Sequence, residues 1–363
     1  MPSVSSKISS SFKFDGIAYN AASIKSLIAA LNLQQEPYKL EIARFLSDWL
    51  NDFSYIEVQT SGSTGIPKTI RLKKAQMINS ALATGAFFDS KEKTRALLCL
   101  PVQYIAGKMM LVRALVLGWD LYSVCPTGNP LEQVNNKQFD FAAMVPLQAA
   151  QSLPKLTQVK QLIIGGAPVS HALNVKLQTL STQCYATYGM TETITHIAVQ
   201  RLNNLKSNNT VSFFEVLPHV NISTDERSCL VIHAPKVSDD QIITNDVVKL
   251  HTANSFEWIG RYDHIVNSGG IKLFPEKIEA KLAPYISARF FVIGIPDERL
   301  GQQLAIVIET AKNRSISSIY EAYNRADLDK FEVPKQVFTL KKFAETPTGK
   351  LQRAVSLRHA SLL

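Results

Sequence analysis

A chain of 363 residues, 46% of them hydrophobic, can bury a sizeable core and has the length of about two domains. Its formal net charge of +9 favours anionic partners without choosing among nucleotides, coenzyme A, nucleic acid and acidic membranes. No block of consecutive basic residues and no nucleic-acid module accompanies that charge, which argues against nucleic-acid binding.

The Ser-rich start lacks the apolar run of a signal peptide, and no later stretch is long enough to span a bilayer, so no integral membrane segment is expected. Cys99, Cys125, Cys184 and Cys229 are scattered without the paired spacing of disulfide or metal sites, which suits a reducing cytoplasm. In chain order, Ile24, Leu27, Ile28 and Leu31 recur at helical spacing, and Ile42, Leu46, Trp49 and Leu50 repeat the pattern. From residue 96 the texture changes to short apolar runs at 96–100, 121–124, 141–145 and 161–164, with a crossover helix predicted over 109–117. That alternation predicts an α/β layer with a largely parallel sheet. Residues 211–223 and 229–233 read as antiparallel strands around the polar turn Thr224-Asp225-Glu226-Arg227, forming a second subdomain. The tail reads as a helix over 275–282, strands over 289–293 and 303–309, and a helix over 316–326. The expected architecture is a large α/β domain over 1–262, with a parallel sheet plus an antiparallel subdomain, and a small α+β domain over 263–363.

The richest chemical signal is Gln59-Thr60-Ser61-Gly62-Ser63-Thr64-Gly65-Ile66-Pro67-Lys68. Gly62 and Gly65 permit close backbone approach, while hydroxyls, backbone N–H groups and the Lys68 ammonium can surround phosphate oxygens. A flexible Ser/Thr/Gly surface loop is the competing reading. A Walker-type loop is excluded, because Ile66 and Pro67 separate Gly65 from Lys68.

This loop resembles the [S/T]-S-G-[S/T]-T-G-x-P-K signature of the adenylate-forming superfamily of acyl-CoA synthetases, peptide-synthetase adenylation domains and luciferases, and further matches follow in the same order. Tyr188-Gly189-Met190-Thr191-Glu192 resembles the family's Y-G-x-T-E motif. The resemblance implies that Tyr188 lies against adenine, that Thr191 reaches the phosphate, and that Glu192 holds Mg²⁺, as a hard carboxylate oxygen can. Gly165-Gly166-Ala167 resembles the turn lining the adenine pocket, although a plain strand-to-helix turn would look the same. Thr244-Asn245-Asp246 stands where the family has T-G-D, which implies that Asp246 binds the ribose hydroxyls. Asn245 replaces the Gly and tolerates a left-handed turn; a solvated turn aspartate is the alternative. The stretch from Trp258 to Glu279 resembles the family's hinge segment, implying that Arg261 contacts ribose or phosphate, that Asp263 is the pivot, and that Gly269 and Gly270 meet the pantetheine arm of CoA. Val292 to Gly301 fits a family turn. Thr346-Pro347-Thr348-Gly349-Lys350 loosely matches the C-terminal signature, with Ala344 where Pro is usual, and implies Lys350 as the catalytic cation.

The implied enzyme is a cytoplasmic, ATP-dependent ligase that forms an acyl adenylate on a large domain and passes the acyl group to a thiol after the small domain turns about its hinge. The short distance from the N-terminus to the phosphate loop implies a shortened large domain. Together with the Thr191 to Ala198 continuation, the Thr244-Asn245-Asp246 variant and Asn267-Ser268-Gly269-Gly270, this resembles the short bacterial o-succinylbenzoate-CoA ligases of menaquinone synthesis, and so implies a small aromatic carboxylic acid, CoA, ATP and Mg²⁺ as partners. Tyr104 replaces the family's gating His in the acyl pocket. His196 is a further pocket candidate, with a satisfied core histidine as the competing reading. Another aryl- or acyl-CoA synthetase, a carrier-loading adenylating enzyme and a non-catalytic nucleotide-binding module remain as alternatives. Oligomeric state is not legible.

Overall fold

The computed structural model describes residues 7–59, 69–205, 212–310, 316–346 and 351–362. Strands β1 (Lys13–Phe14) and β2 (Ile17–Ala18) form a short hairpin, followed by helices α1 (Ile24–Leu33) and α2 (Pro37–Leu50). The helical spacing of apolar residues is realised directly: α1 buries Ile24, Leu27 and Leu31, while α2, opened by Pro37 in its first turn, buries Ile42, Phe45, Leu46 and Trp49. Strands β3 (Tyr55–Gln59) and β4 (Thr69–Lys73) make a separate antiparallel ladder in which Gln59 pairs with Thr69. The ladder thereby sets Gln59 and Thr69, which flank residues 60–68 in the sequence, side by side. Helix α3 (Lys74–Phe87) follows.

Next come β5 (Arg95–Leu98), α4 (Ile105–Leu117), β6 (Asp120–Ser123), β7 (Phe139–Met144), α5 (Pro146–Gln151), β8 (Val159–Ile164), α6 (His171–Leu177) and β9 (Gln183–Gly189). Strands β6, β5, β7, β8 and β9 pair in that order, all parallel, which explains their continuous apolar runs. Helix α4 buries every residue from Met109 to Val116 and stops at Gly118, whose φ of +71° is the left-handed cap that glycine favours.

Chain direction then reverses. Strands β10 (His196–Arg201), β11 (Phe214–Val216), β12 (Asn221–Thr224), β13 (Cys229–His233), β14 (Ile242–Thr252) and β15 (Ser255–Arg261) extend the same sheet antiparallel, in the order β9-β10-β11-β15-β14-β13-β12. With β1 and β2 at the far edge beyond β6, the sheet has 13 strands among the described residues. The single strand expected over 211–223 is in fact β11 and β12, separated by a turn in which His219 has a φ of +68°; residue 211 lies outside the described residues.

The last part of the chain builds a second sheet with its own core. It comprises β16 (Val266–Ser268), β17 (Ile271–Leu273), α7 (Pro275–Leu282), β18 (Phe290–Asp297), β19 (Gly301–Glu309), α8 (Ile316–Arg325), β20 (Gln336–Leu340), α9 (Arg353–Arg358) and β21 (Ser361–Leu362). The turn expected from Val292 onward starts later, because Val292 to Pro296 continue β18 as far as Asp297 and pair with β19. Among the described residues β18 pairs with β19 alone, and an edge position tolerates Pro296. Arg353 ties α9 to α7: its Nη2 lies 2.9 Å from Glu279 Oε2 and 3.3 Å from Glu276 Oε1, and its Nη1 also bonds Glu279. The result is the expected α/β sheet with an antiparallel extension, plus a small α+β unit. Among the described residues, no helix is long and apolar enough to cross a membrane.

The start of α4 is pressed against the end of β5. A Cβ on Gly107 would lie 2.3 Å from the Pro101 carbonyl oxygen. Gly107→Ala is therefore expected to lower stability by about 1–3 kcal/mol through overpacking, and Leu115→Ala by about 2–5 kcal/mol through a cavity. Urea unfolding midpoints measure both, and an unchanged midpoint in Gly107→Ala would show that the approach is not tight.

Candidate active site

In open α/β sheets, ligands bind beyond the carboxyl ends of the parallel strands. Here those ends carry Val145 after β7, Gly165-Gly166-Ala167 after β8 and Tyr188-Gly189 closing β9. Gly165 lets β8 pass close to β9: a Cβ there would meet Thr187 Oγ1 at 2.3 Å, while Gly166 turns with a φ of +84° and is exposed, as is Ala167. Gly189 is equally constrained, since a Cβ would lie 2.3 Å from the Thr195 carbonyl oxygen.

The reason is a fold-back of the chain. Thr191 to Thr193 make one 3₁₀ turn, Thr193 Oγ1 accepts the Met190 N–H at 3.0 Å, and the Thr195 N–H donates to the Thr193 carbonyl at 2.7 Å. The residue between them, Ile194, has φ +67° and ψ −59°, the dihedrals of the rare γ-turn that a β-branched residue adopts only under constraint. Such backbone costs about 1–3 kcal/mol and clusters at functional sites. The fold-back leaves Thr191 half-buried and Glu192 exposed, with no hydrogen bond or ion pair to Glu192 among the described residues. Among those residues, no group of three or more His, Cys, Asp or Glu is placed to hold a metal ion alone. One free, hard carboxylate without a protein cage suits Mg²⁺, which keeps waters and arrives with phosphate oxygens.

Across the sheet, Asp246 sits at the centre of a polar cluster. Its Oδ2 accepts from the Tyr188 hydroxyl at 2.7 Å, its Oδ1 accepts from Trp258 Nε1 at 3.1 Å, and Arg261 Nη1 stands 3.8 Å from Oδ1. Burial and then the neighbouring Asp246 charge push the Tyr188 phenol well above its ordinary pKa, so it remains a donor. Thr244 holds the segment by donating to the Leu230 carbonyl at 2.8 Å and accepting the Asp246 N–H at 3.1 Å. The turn expected at Thr244-Asn245-Asp246 is absent. These residues lie inside β14, where Asp246 pairs with Arg261 of β15 and the register against β13 shifts between Ile243 and Val247, and Asn245 is not among the residues of positive φ. No glycine is required there; Asn245 Oδ1 instead accepts from Arg227 Nη1 at 3.0 Å.

Arg261 also makes a two-pronged bond to Asp263, Nε–Oδ1 at 3.0 Å and Nη2–Oδ2 at 3.2 Å. That bond raises the guanidinium's pKa; for Asp263, burial pulls the other way but Arg261 outweighs it and holds the carboxyl below its usual range. Asp263 lies in the single 3₁₀ turn between the two sheets. Gly269 and Gly270 form the two-residue turn between β16 and β17 with φ of +58° and +86°, the pair of positive angles a tight hairpin demands. Thr60, Ser61, Gly62, Ser63, Thr64, Gly65 and Lys68, and also Lys350, lie outside the described residues. Their flanks are fixed by the Gln59–Thr69 pair and by a bridge between Glu345 and Leu351.

A second cluster was only half anticipated. Arg113, on α4, is 1% exposed; its Nε donates to Thr84 Oγ1 at 3.3 Å and its Nη1 to Met110 Sδ at 3.7 Å, while Nη2 has no partner among the described residues. No acidic side chain pairs with it among the described residues. Burial lowers its pKa to about 9, still protonated at neutral pH. His196 is buried beside it, Nε2 3.5 Å from Thr84 Oγ1. Burial, then the Arg113 charge, drive His196 far below its usual pKa and keep the imidazole neutral. The available signal was one arginine inside the apolar run Met109-Met110-Leu111-Val112-Arg113-Ala114-Leu115-Val116. Tyr104, immediately before α4, is 41% exposed and makes no contact with this cluster through a hydrogen bond.

Comparison with known proteins places these features. The family model for AMP-binding enzymes matches residues 51–223. A solved structure from Dyadobacter fermentans, described as an acyl-CoA synthetase (AMP-forming)/AMP-acid ligase II-like protein, is 37% identical, with a TM-score of 0.62, and the alignment covers 92% of this chain and 97% of that one. The 2-succinylbenzoate–CoA ligase of Listeria monocytogenes is 23% identical over 319 residues, covering 81% of this chain and 68% of the relative. The o-succinylbenzoate CoA synthetase of Bacillus subtilis, solved with its acyl-adenylate intermediate, shares the fold with a TM-score of 0.74 at 19% identity, over 84% of this chain and 69% of that one. The chain belongs to the adenylate-forming family of AMP-forming acid–CoA ligases.

Proposed function

We propose that this chain is a cytoplasmic ATP-dependent o-succinylbenzoate-CoA ligase serving menaquinone biosynthesis. The observation that carries the choice of acid is Arg113. o-Succinylbenzoate has two carboxylates: one is activated, and the other retains its charge. A buried guanidinium with a free N–H and no acidic partner among the described residues supplies the cation that the second carboxylate needs, because an unpaired buried charge is costly and a charge-assisted bond relieves it. The relatives named for this acid support the same reading.

In the first half-reaction a carboxylate oxygen of the acid attacks the α-phosphorus of ATP, the α–β bridge bond breaks, and pyrophosphate leaves with the electron pair. The 60–68 loop surrounds the phosphates, Thr191 donates to the reacting phosphate, and Lys350 offsets its charge. Glu192 would hold Mg²⁺, which would supply Lewis-acid neutralisation of phosphate charge. Tyr188 and the Gly165-Gly166-Ala167 turn bound the adenine, while Asp246 and Arg261 bind the ribose. In the second half-reaction the domain from residue 263 onward turns about Asp263, withdrawing Lys350 and bringing the Gly269-Gly270 turn toward the pantetheine of CoA. The thiol sulfur then attacks the acyl carbon, giving the thioester and releasing AMP. The proposed domains are residues 1–262 and 263–363.

Pyrophosphate release in the presence of ATP and Mg²⁺ tests the acid directly: o-succinylbenzoate should support turnover, whereas release with benzoates or fatty acids but not with o-succinylbenzoate would reassign the substrate. Arg113→Met should raise KM for o-succinylbenzoate about 10- to 100-fold, as loss of a charged hydrogen bond does, while KM for ATP holds. Its melting temperature should stay level or rise, since removing an unpaired buried charge relieves desolvation. Lys350→Ala should abolish adenylate formation and leave ATP binding intact; undiminished turnover would favour a different catalytic cation.

Because His196 is neutral when folded and binds a proton when unfolded below about pH 6.5, the unfolded chain holds more protons there. Stability should therefore fall as pH drops below that value, by at most about 1.4 kcal/mol per pH unit from this group. Urea midpoints of wild type and His196→Gln, compared from pH 7 to pH 5, should diverge accordingly; parallel curves would mean that His196 does not titrate in this way.

A further inference from the structure

The Asp246 cluster contains a donor that no part of the proposed reaction uses. In β15, Asp246 faces Arg261 and Val247 faces Gly260, yet Val248 faces Trp258, so Ile259 is an extra residue and the strand is bulged there. Without a bulge, residues 258 and 261 would point to opposite faces, since side chains alternate along a strand. The bulge re-aims them. Trp258 Nε1 reaches Asp246 Oδ1 at 3.1 Å, and Arg261 Nη1 approaches the same oxygen at 3.8 Å.

We infer that Trp258 is a positioning residue for the nucleotide's ribose, its indole N–H and the Tyr188 hydroxyl each fixing one oxygen of Asp246 so that the remaining lone pairs face a vicinal diol. A carboxylate offers about four acceptor sites. Tyr188 takes one on Oδ2 at 2.7 Å and Trp258 one on Oδ1, which leaves about two, the number of donors a cis-diol brings. Indole N–H is donor-only, so the bond cannot reverse and compete for the diol's protons. The other tryptophans do not share this role: Trp49 and Trp119 are fully buried, and their indole nitrogens have no hydrogen-bond partner among the described residues. The inference rests on the proposed reading of Asp246 as the ribose acceptor, and it goes further by assigning the orientation of that carboxylate to Trp258.

The test is calorimetric binding of ATP, 2′-deoxyATP and 3′-deoxyATP to the full chain, which requires no knowledge of the acid. Wild type should bind ATP more tightly than either deoxynucleotide by about 10- to 100-fold, the scale of one hydrogen bond to a charged group. Trp258→Phe should weaken ATP binding and narrow that ratio several-fold, with the deoxynucleotides little affected. If Trp258→Phe does not fold, benzothienylalanine at position 258, which replaces the indole nitrogen with sulfur and keeps the ring shape, gives the same comparison. A wild type that discriminates together with a variant of unchanged ratio overturns the role of Trp258 and leaves Asp246 as the ribose acceptor. A wild type that does not discriminate overturns the reading of Asp246, and the inference with it.

Discussion

The reversal of strand direction between β9 and β10 is the constraint on which the site depends. From β6 across to β9 the sheet is parallel, and its strand ends collect loops along one edge; from β10 onward it is antiparallel. Joining the two halves within six residues requires Gly189 to lie against the Thr195 carbonyl and Ile194 to adopt a strained turn. That fold-back leaves the Glu192 carboxylate exposed just past the end of β9, while Tyr188, one residue before the bend, reaches across the antiparallel half to Asp246. The cost of the turn is met by the ladders on either side, which fix both strands before the bend begins.

Local motifs were legible because their chemistry is local. The Tyr188 to Glu192 run and the stretch from Trp258 onward carry their residue types at fixed short spacing, and the helix at Pro275 begins and ends as its apolar pattern predicts. Misreadings arose where local signals were overruled by pairing. Asn245-Asp246 has turn composition yet lies in an eleven-residue strand, and Gly294 with Pro296 looks like punctuation yet continues an edge strand. The bulge at Ile259 is invisible in composition, because nothing in Trp258-Ile259-Gly260-Arg261 marks which residue is extra. Arg113 was missed for a related reason: its oxygen acceptor Thr84 lies on α3 and its neutral neighbour His196 on β10, both remote in sequence, and only burial reveals that it lacks an acid among the described residues.

Two charges in the structure are treated oppositely. Asp246 is embedded in donors from three residues and backed by Thr244, so its charge is compensated before any ligand arrives. Arg113 is more deeply buried yet has, among the described residues, one oxygen acceptor and one weak sulfur acceptor, and the neighbouring imidazole is neutral. The first arrangement is preorganised at no further cost. The second stores a penalty, which buried arginines in ordinary cores avoid by pairing.

The stored penalty also bears on rejection. If the proposed substrate lies against Arg113, a purely apolar acid in its place would give the buried Nη2 no acceptor, so the unmet charge would count against it on every encounter. Discrimination of this kind is steep, because a pocket built around a buried donor refuses the analogue lacking the matching group far more strongly than an apolar pocket refuses a missing methylene. On that reading, a single residue inside an apolar helix would act as a filter against acids that carry no second carboxylate.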